Sequence, residues 1–406
     1  MAQVIKPSSR DQFHIAVICA LPREADAVHL LFDEFWDEDG DPFGRANGDT
    51  NNYSTGRIGK HNVVLAILPG MGTNNAAAST ASLRSSYSNL KLALLVGICG
   101  GVPRFADDDV FLGDVVISKA IVQYDFGRQY PDGFAVKNTI EDSLGRANKD
   151  IRGLLAIFET ERMKDWLISK SSGYLKQLQE AARRKRRRAK YRYPGVTNDT
   201  LFQPDYIHQH RFELCDICGD MGKPEELCES ASKASCADLG CDKTQLVKRE
   251  ALNVDDGGFN IFFGRIGSGN TVMKSAKDRD RIASLHNLVA FEMEGAGAWE
   301  EVPCLVVKGV CDYADSHKNK QWQDFAAATA ACVMKAILDR YVVAEGAQGA
   351  ALAQTNDQGR QNNTRTISGN NFGNNVRISQ GDVHWNTPSY PEKRKDIQYP
   401  WHFQQY

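Results

Sequence analysis

The sequence predicts an α/β fold of three layers, in which helices cover both faces of a mixed central sheet. Apolar runs of strand length, such as residues 13–20 and 92–96, recur through residues 13–343 and alternate with segments of helical spacing. Several of these runs end in loops of small residues. Because ligands bind beyond the carboxyl ends of strands in such sheets, we expect one site along one sheet edge.

The composition is that of a water-soluble globular protein. The chain has 406 residues, of which 42% are hydrophobic and 25% charged, and its net charge is −2. We therefore expect neither a nucleic acid nor a membrane as partner. No apolar run has the length of a membrane span, and residues 1–10 lack the apolar core of a signal peptide. Five of the ten cysteines lie in apolar runs, which predicts a reducing, cytoplasmic location.

Composition divides the chain into three parts. Residues 1–12 form an N-terminal extension, and residues 13–343 form one domain with a Cys/His-rich excursion at about 205–245. Residues 344–406 are rich in Asn, Gln and Gly and cannot bury a core. Residues 367–384 of this tail are more patterned than a spacer requires, so the tail is either a linker or a segment for assembly.

The first predicted unit is a strand followed by a helix. Residues 13–20 form the strand and residues 21–31 the helix, so Arg23 and Glu24 lie at the strand's carboxyl end. Residues 53–58 and 62–68 then predict a hairpin.

Three glycine loops follow predicted strands. The loop that contains Gly70 and Gly72 opens an Ala-rich helix, and two others span residues 97–103 and 267–273. A further strand is predicted over residues 111–118. Backbone N–H groups in such loops suit an anion or a sugar, although a glycine after a strand is more often a simple turn.

Residues 140–191 have helical character and contain the densest charge block of the chain, residues 183–188. This basic run is either a solvated helix face or a sorting signal, or it contacts an anion such as a nucleotide phosphate.

The excursion contains a candidate structural zinc site. Cys215 and Cys218 form a Cys-x-x-Cys pair, and Cys236 and Cys241 follow at a less regular spacing. Tetrahedral zinc takes four sulfur or nitrogen ligands. The alternative is that these cysteines are free thiols on the surface.

Carboxylates flank the last predicted strand, residues 303–308. Glu292 and Glu294 precede it at the start of a helix, and Asp312 follows it. Such positions are poor for packing and good for chemistry, although a Glu pair in a first helical turn can simply face solvent. A helix over residues 322–343 would close the domain.

Together these motifs resemble the purine nucleoside and uridine phosphorylase superfamily, which includes the nucleosidases. The resemblance covers residues 13–343, and the most specific motif is Glu-Met-Glu at 292–294 followed by Asp312. The form that is most similar is the fungal one at the N-terminus of nucleotide-oligomerisation-type receptor proteins. The other motifs that carry the resemblance are residues 18–25, 70–72, 96–101, 113–114, 268–270 and 312–315.

The resemblance implies cleavage of a purine nucleoside at its N-glycosidic bond, by a homo-oligomer that needs no cofactor for catalysis. Asp312 would protonate or hydrogen-bond N7 of the departing base. The ribose would be held by Glu294, Met293 and Gly72. The residues implied to line the base are Asn270, Val272, Met273 and Phe291.

Hydrolysis is favoured over phosphorolysis. Glu24 occupies the place of the nucleosidase glutamate that activates water, whereas Leu95 and Ile98 stand where phosphorylases have phosphate ligands. Arg23 and Arg84 could still bind phosphate, so a phosphorylase is the alternative. A domain that only senses nucleosides is a second alternative.

The basic run suggests a sharper hypothesis. If it lies near the 5′ position of the sugar, the substrate could be a nucleotide such as ATP, which would suit an effector domain of an immune-type receptor. The arginines of this run that would contact phosphate are Arg183, Arg184, Arg186 and Arg187.

Overall fold

A computed structural model describes residues 6–137, 139–212, 215–218, 228–249 and 258–343 of the chain. These residues fall in a unit that extends from Met1 to Ala344. The predictions for the tail, residues 344–406, lie outside the described residues, as do residues 1–5 of the extension.

The strands largely follow the apolar runs of the sequence. Their bounds are β1 Ile15–Cys19, β2 Glu34–Phe35, β3 Tyr53–Ile58, β4 His61–Ile67, β5 Leu92–Gly101, β6 Arg104–Phe105, β7 Asp108–Asp109, β8 Val115–Gln123, β9 Gly127–Tyr130, β10 Gly133–Val136, β11 Ile261–Ser268, β12 Leu288–Glu292 and β13 Cys304–Asp312.

Most helices follow a strand or connect two. Their bounds are α1 Pro22–His29, α2 Thr73–Ser86, α3 Lys149–Phe158, α4 Glu161–Arg184, α5 Glu229–Lys233, α6 Cys236–Leu239, α7 Ala276–His286, α8 Gly295–Trp299 and α9 Gln323–Arg340.

The large sheet is mixed and partly closes on itself. Its nine strands run in the order β12-β11-β8-β13-β5-β1-β4-β3-β2, and β12 also pairs with β5. β5 is parallel to β1 and β13, whereas β12 meets it antiparallel at Gly100 and Gly101. The carboxyl end of β12 therefore lies at the carboxyl end of β5, next to those of β1 and β13. Motifs that are far apart in the sequence meet there.

Helices cover both faces of this sheet, as predicted. On β13, a Cβ at Gly309 would lie 2.0 Å from the carbonyl oxygen of Ala326 in α9. The next side chain along the strand, Lys308, reaches Glu294 at the start of α8. Since successive strand residues point to opposite faces, α8 and α9 lie on opposite faces. The three-layer α/β fold is thus confirmed.

Helix α9 is buried on nearly every side. Its residues from Phe325 to Leu338 are buried, because α9 packs on the sheet and is also covered by α1 and α4. Such a helix needs small apolar residues around its whole circumference, and its many alanines supply them.

Two strand boundaries differ from the prediction. β5 does not end at Val96 but continues through the glycine stretch to Gly101, because β12 and β13 supply hydrogen-bond partners there. β8 starts only at Val115, because Gly113 has a φ of 97° and turns the chain before the strand. Tertiary pairing and turn geometry, rather than local apolarity, set both limits.

None of the helices in the described part of the chain is both long enough and apolar enough to cross a membrane.

Candidate active site

A pocket lies where the ends of β1, β5, β12 and β13 meet. It is lined by residues from all four regions, including Glu24, Glu294 and Asp312. Two glycines of β5 keep this edge open. A Cβ at Gly97 would lie 2.2 Å from Oε1 of Glu24, and one at Gly100 would lie 3.0 Å from Oδ1 of Asp312. The glycine stretch therefore gives two carboxylates room beside the strand.

Glu24 lies in the first turn of α1, and its carboxylate is held by three backbone N–H groups. Its Oε2 accepts hydrogen bonds from the N–H groups of Ala20 and Leu21, both at 2.9 Å, and its Oε1 accepts one from Ile98 at 2.8 Å. Pro22 starts the helix, so the glutamate stands at the third helical position and caps it. Burial raises the pKa of Glu24, whereas Lys308 and the N–H of Ile98 oppose that rise.

Lys308 is the cation at the centre of the site. Its Nζ lies 2.9 Å from Oε2 of Glu294 and 3.7 Å from Oε2 of Glu292, and all three side chains are almost fully buried. Burial alone would lower the pKa of Lys308, but the carboxylates of Glu294, Glu24 and Glu292 raise it above its usual value. One buried ammonium thus balances several buried carboxylates.

Glu292 stabilises the start of α8. Its carboxylate accepts hydrogen bonds from the backbone N–H groups of Glu294 and Gly295 at 2.9–3.0 Å, where α8 begins. This contact fixes the turn that presents Glu294 and Met293 to the pocket. Of the two glutamates in the Glu-Met-Glu motif, Glu294 is therefore the one available to a ligand.

Asp312 is the last residue of β13, and its carboxylate is held at one oxygen. Its Oδ1 accepts a hydrogen bond from the N–H of Ala314 at 2.8 Å and lies 3.0 Å from Nζ of Lys318. Among the described residues, its Oδ2 accepts a hydrogen bond only from the Cys311 thiol, at 3.3 Å. The side chain is 12% exposed and lines the pocket. Oδ2 is therefore the oxygen of Asp312 that can still form hydrogen bonds with a ligand.

The base-lining residues divide into two groups. Val272, Met273 and Phe291 line the pocket, as does Met293. Asn270 does not; its amide contacts Thr73 at the start of α2, at 2.9–3.1 Å. Thr271 lines the pocket in its place.

Gly72, implied to bind the ribose, also lies outside the pocket lining, and Met71 lines the pocket instead. Gly72 has a φ of 109° and precedes the first turn of α2. This conformation favours glycine, so the residue serves the turn into the helix.

The arginines predicted to contact phosphate lie in different parts of the domain. Arg23 lies at the start of α1 beside the pocket and pairs with Asp324 at 2.9 Å. Arg84 lies at the other end of α2, where it pairs with Glu301 at 3.2 Å. Arg183, Arg186 and Arg187 line a different surface pocket near the end of α4. Arg184 pairs with Glu180 of the same helix at 4.0 Å.

The four cysteines proposed as one zinc set are divided between two clusters. Cys236 and Cys241 lie with His208 and His317, whereas Cys215 and Cys218 lie with His210 and Cys228. The expected four-cysteine set is therefore wrong. Sequence spacing could not reveal this, because one member of the first cluster, His317, comes from the loop after Asp312.

Sequence reasoning missed both lysines of the site. Lys308 interrupts the apolar run of β13. Because a lysine is almost never fully buried unless it is paired, its position in this run indicated a buried ion pair. Lys318 lies in a loop, and nothing in its spacing indicated a contact with Asp312. Gln323 at the start of α9 also lines the pocket without a sequence signal.

Residues 14–163 match the family model of the phosphorylase superfamily. The chain is 31% identical over 342 residues, 82% of its length, to a nucleotide-binding leucine-rich repeat (NLR)-like protein of Hyaloscypha variabilis. It is also 31% identical over 114 residues, 28% of its length, to a 5'-methylthioadenosine/S-adenosylhomocysteine nucleosidase of Mycobacterium bovis. The matched parts span 30% and 39% of these two relatives.

The chain is also similar, at low sequence identity, to two solved structures. A 5'-methylthioadenosine/S-adenosylhomocysteine nucleosidase of Neisseria meningitidis superposes with a TM-score of 0.45 at 16% identity, over 80% of this chain and 99% of that chain. Futalosine hydrolase of Helicobacter pylori gives a TM-score of 0.47 at 15% identity, over 81% and 99%. The resemblance to the phosphorylase superfamily that the motifs predicted is confirmed by the family match over residues 14–163 and by the NLR-like and nucleosidase relatives.

Proposed function

We propose that this domain is a purine nucleosidase that hydrolyses the N-glycosidic bond. One observation carries the proposal: the carboxylates of Glu24, Glu294 and Asp312 line one pocket, although they are far apart in the sequence. A binding module has no need to gather three largely buried carboxylates in one pocket, because such burial costs free energy. Cleavage through an oxocarbenium-like transition state does need them, since they stabilise developing positive charge.

In this proposal Asp312 acts on the base and Glu294 on the sugar. Oδ2 of Asp312 protonates or hydrogen-bonds N7 of the purine, which makes the base a better leaving group. Glu294 accepts hydrogen bonds from the ribose hydroxyls, while Lys308 fixes its carboxylate at 2.9 Å. Val272, Met273 and Phe291 supply the apolar surface against which the base packs.

Glu24 activates the water. Its Oε1 accepts a single backbone hydrogen bond, from Ile98, and so retains a lone pair for a water molecule in the pocket. Burial raises the pKa of Glu24 and makes it a stronger base than an exposed glutamate. The three backbone donors hold the carboxylate in place while the water attacks.

The lining of the pocket supports hydrolysis over phosphorolysis. Phosphate in a phosphorylase is held by arginines, and among the described residues that line this pocket the cation is Lys318, which pairs with Asp312. The test is incubation with adenosine and guanosine, with and without phosphate, followed by separation of ribose from ribose 1-phosphate. Ribose in both conditions supports the proposal. Ribose 1-phosphate identifies a phosphorylase, and release of no base from any purine nucleoside or nucleotide identifies a sensing module.

We further propose a 5′-phosphorylated nucleoside, such as ATP, as substrate. Leu21 and Gln323 line the pocket, and beside them Arg23 pairs with Asp324. The hydroxyl of Tyr191, whose pKa is raised to about 12 chiefly by burial, lies within electrostatic range of both Arg23 and Arg187. We take this shared influence on Tyr191 as support for a role of the basic run at this side of the pocket. The NLR-like relative is consistent with an effector domain of an immune-type receptor.

Release of adenine from adenosine, AMP and ATP tests the substrate. We expect ATP to be preferred, and Arg23→Ala and Arg187→Ala to raise KM for ATP but not for adenosine. Arg84→Ala is the matched control, because Arg84 pairs with Glu301 at the far end of α2. Equal effects of all three variants, or no preference for ATP, would reject the nucleotide but leave the nucleosidase standing.

A further inference from the structure

In its described residues, the excursion at about 205–245 has almost no apolar core of its own. The buried residues of its cluster are Cys228, Ala231 and Leu239. Segments with so little apolar burial need another source of stability, such as a disulfide or a metal. Its cysteines are free thiols. They lie beside histidines rather than in pairs, which favours a metal.

Four side chains form what we call the His317 cluster: His208, Cys236, Cys241 and His317. Each histidine Nδ1 lies 3.4–3.8 Å from each cysteine Sγ. A tetrahedron with Zn–S bonds of about 2.3 Å and Zn–N bonds of about 2.0 Å has edges of roughly 3.3–3.8 Å. The four side chains are therefore spaced as ligands of one zinc ion.

The hydrogen bonds of the two histidines also support metal binding. Nε2 of His208 lies 3.1 Å from the carbonyl oxygen of Ala234, and Nε2 of His317 lies 2.9 Å from that of Tyr206. A carbonyl oxygen can only accept, so Nε2 carries the proton in both rings. Each Nδ1 then directs its lone pair at the thiols, as metal-binding histidines do.

The Cys228 cluster consists of His210, Cys215, Cys218 and Cys228. Nδ1 of His210 lies 3.2 Å from Sγ of Cys218 and 3.8 Å from Sγ of Cys228. Sγ of Cys215 lies 3.9 Å from Sγ of Cys228. Three sulfurs and one nitrogen again suit a tetrahedral zinc ion.

We propose that the chain binds two zinc ions, one in each cluster. Both sites have four protein ligands and so leave no open position for substrate or water, which makes them structural rather than catalytic. The ligands are nested along the chain. Those of the Cys228 cluster, residues 210–228, lie between the first and second ligands of the His317 cluster, so the excursion is folded around two ions in place of a core.

The His317 cluster also connects the excursion to the active site. His317 follows Asp312 by five residues, and the next residue, Lys318, holds Oδ1 of Asp312 at 3.0 Å. The zinc ion of this cluster therefore anchors the loop that positions Lys318. This consequence, unlike the two ions themselves, rests on the proposed nucleosidase function.

The first test is metal content. The full chain, purified without chelator, should carry two zinc ions by mass spectrometry of the digested protein. Replacing zinc with Co²⁺ should give the absorption bands of tetrahedral cobalt with thiolate ligands. A content of one ion or less, or octahedral cobalt spectra, overturns the proposal.

Variants distinguish the two sites. His317→Asn and Cys218→Ser should each remove one ion while circular dichroism reports an intact α/β domain. His317→Asn should also lower kcat for base release at least several-fold with little change in KM, whereas Cys218→Ser should not. Equal kcat values would refute the link to Asp312. The zinc count is read independently of activity, so failure of the proposed function would not mask it. Two ions retained in either variant would overturn the ligand assignment.

Discussion

Replacing Lys308 with methionine tests the electrostatic centre of the site. Methionine has a similar length and no charge, so the substitution keeps most of the packing and removes the ammonium. It leaves Glu294 and Glu292 buried without the cation that lies 2.9 Å and 3.7 Å away. Removal of one partner from a buried ion pair costs about 3–5 kcal/mol, because the remaining charge is uncompensated.

A loss of this size is measurable by calorimetry. At about 2–4 °C per kcal/mol, Lys308→Met should lower Tm by roughly 6–20 °C at neutral pH. The loss should shrink as the pH is lowered, because burial raises the pKa of Glu292 and its protonation removes part of the uncompensated charge. Base release should fall as well, since Glu294 loses the contact that orients it.

Lys335→Met is the matched control. Lys335 is also a buried lysine, with Nζ 2.9 Å from Asp33, but it lies on α9 away from the pocket lining. The Lys335→Met variant should be less stable than the wild type, but the fraction of it that stays folded should keep the wild-type kcat. The double variant Lys308→Met/Glu294→Gln should recover part of the stability and none of the activity. An unchanged Tm for Lys308→Met, or a loss that does not depend on pH, would refute the electrostatic account.

Three further predictions concern single carboxylates. Asp312→Asn should reduce base release by about 10²–10⁴-fold, measured by chromatography, while calorimetric binding of the nucleoside persists; lost binding would contradict its assignment as the acid. Glu24→Gln should abolish the acid limb of the kcat/KM profile, and in the wild type that limb should lie above the usual range of a carboxyl because burial raises the pKa of Glu24. Burial raises the pKa of Asp114 to about 7, so the folded state binds this proton more tightly than the unfolded state does. Stability should therefore fall as the pH rises from about 4 to about 7, and Asp114→Asn should weaken that dependence of Tm; identical pH profiles would contradict it.

The sequence predicted those parts of the molecule that local patterns determine. Alternation and length identified the β3–β4 hairpin and the buried strand before Asp312, and the family motif identified the carboxylates. Contacts between distant residues carry no such pattern. The pairing of β12 with β5 extends β5 through its glycines, and the amide of Asn270 turns to Thr73 rather than to the pocket. Lys318 and His317 acquire their roles only through folding.

The partial closure of the large sheet has a consequence for association between chains. Where β12 meets β5, backbone groups that a strand at a sheet margin would expose to solvent are already paired. At the opposite margin β2 has two residues, Glu34 and Phe35, and the side chain of Glu34 is 44% exposed. Short, charged margins disfavour the addition of a strand from another molecule. The described part of this sheet is therefore protected against edge-to-edge aggregation.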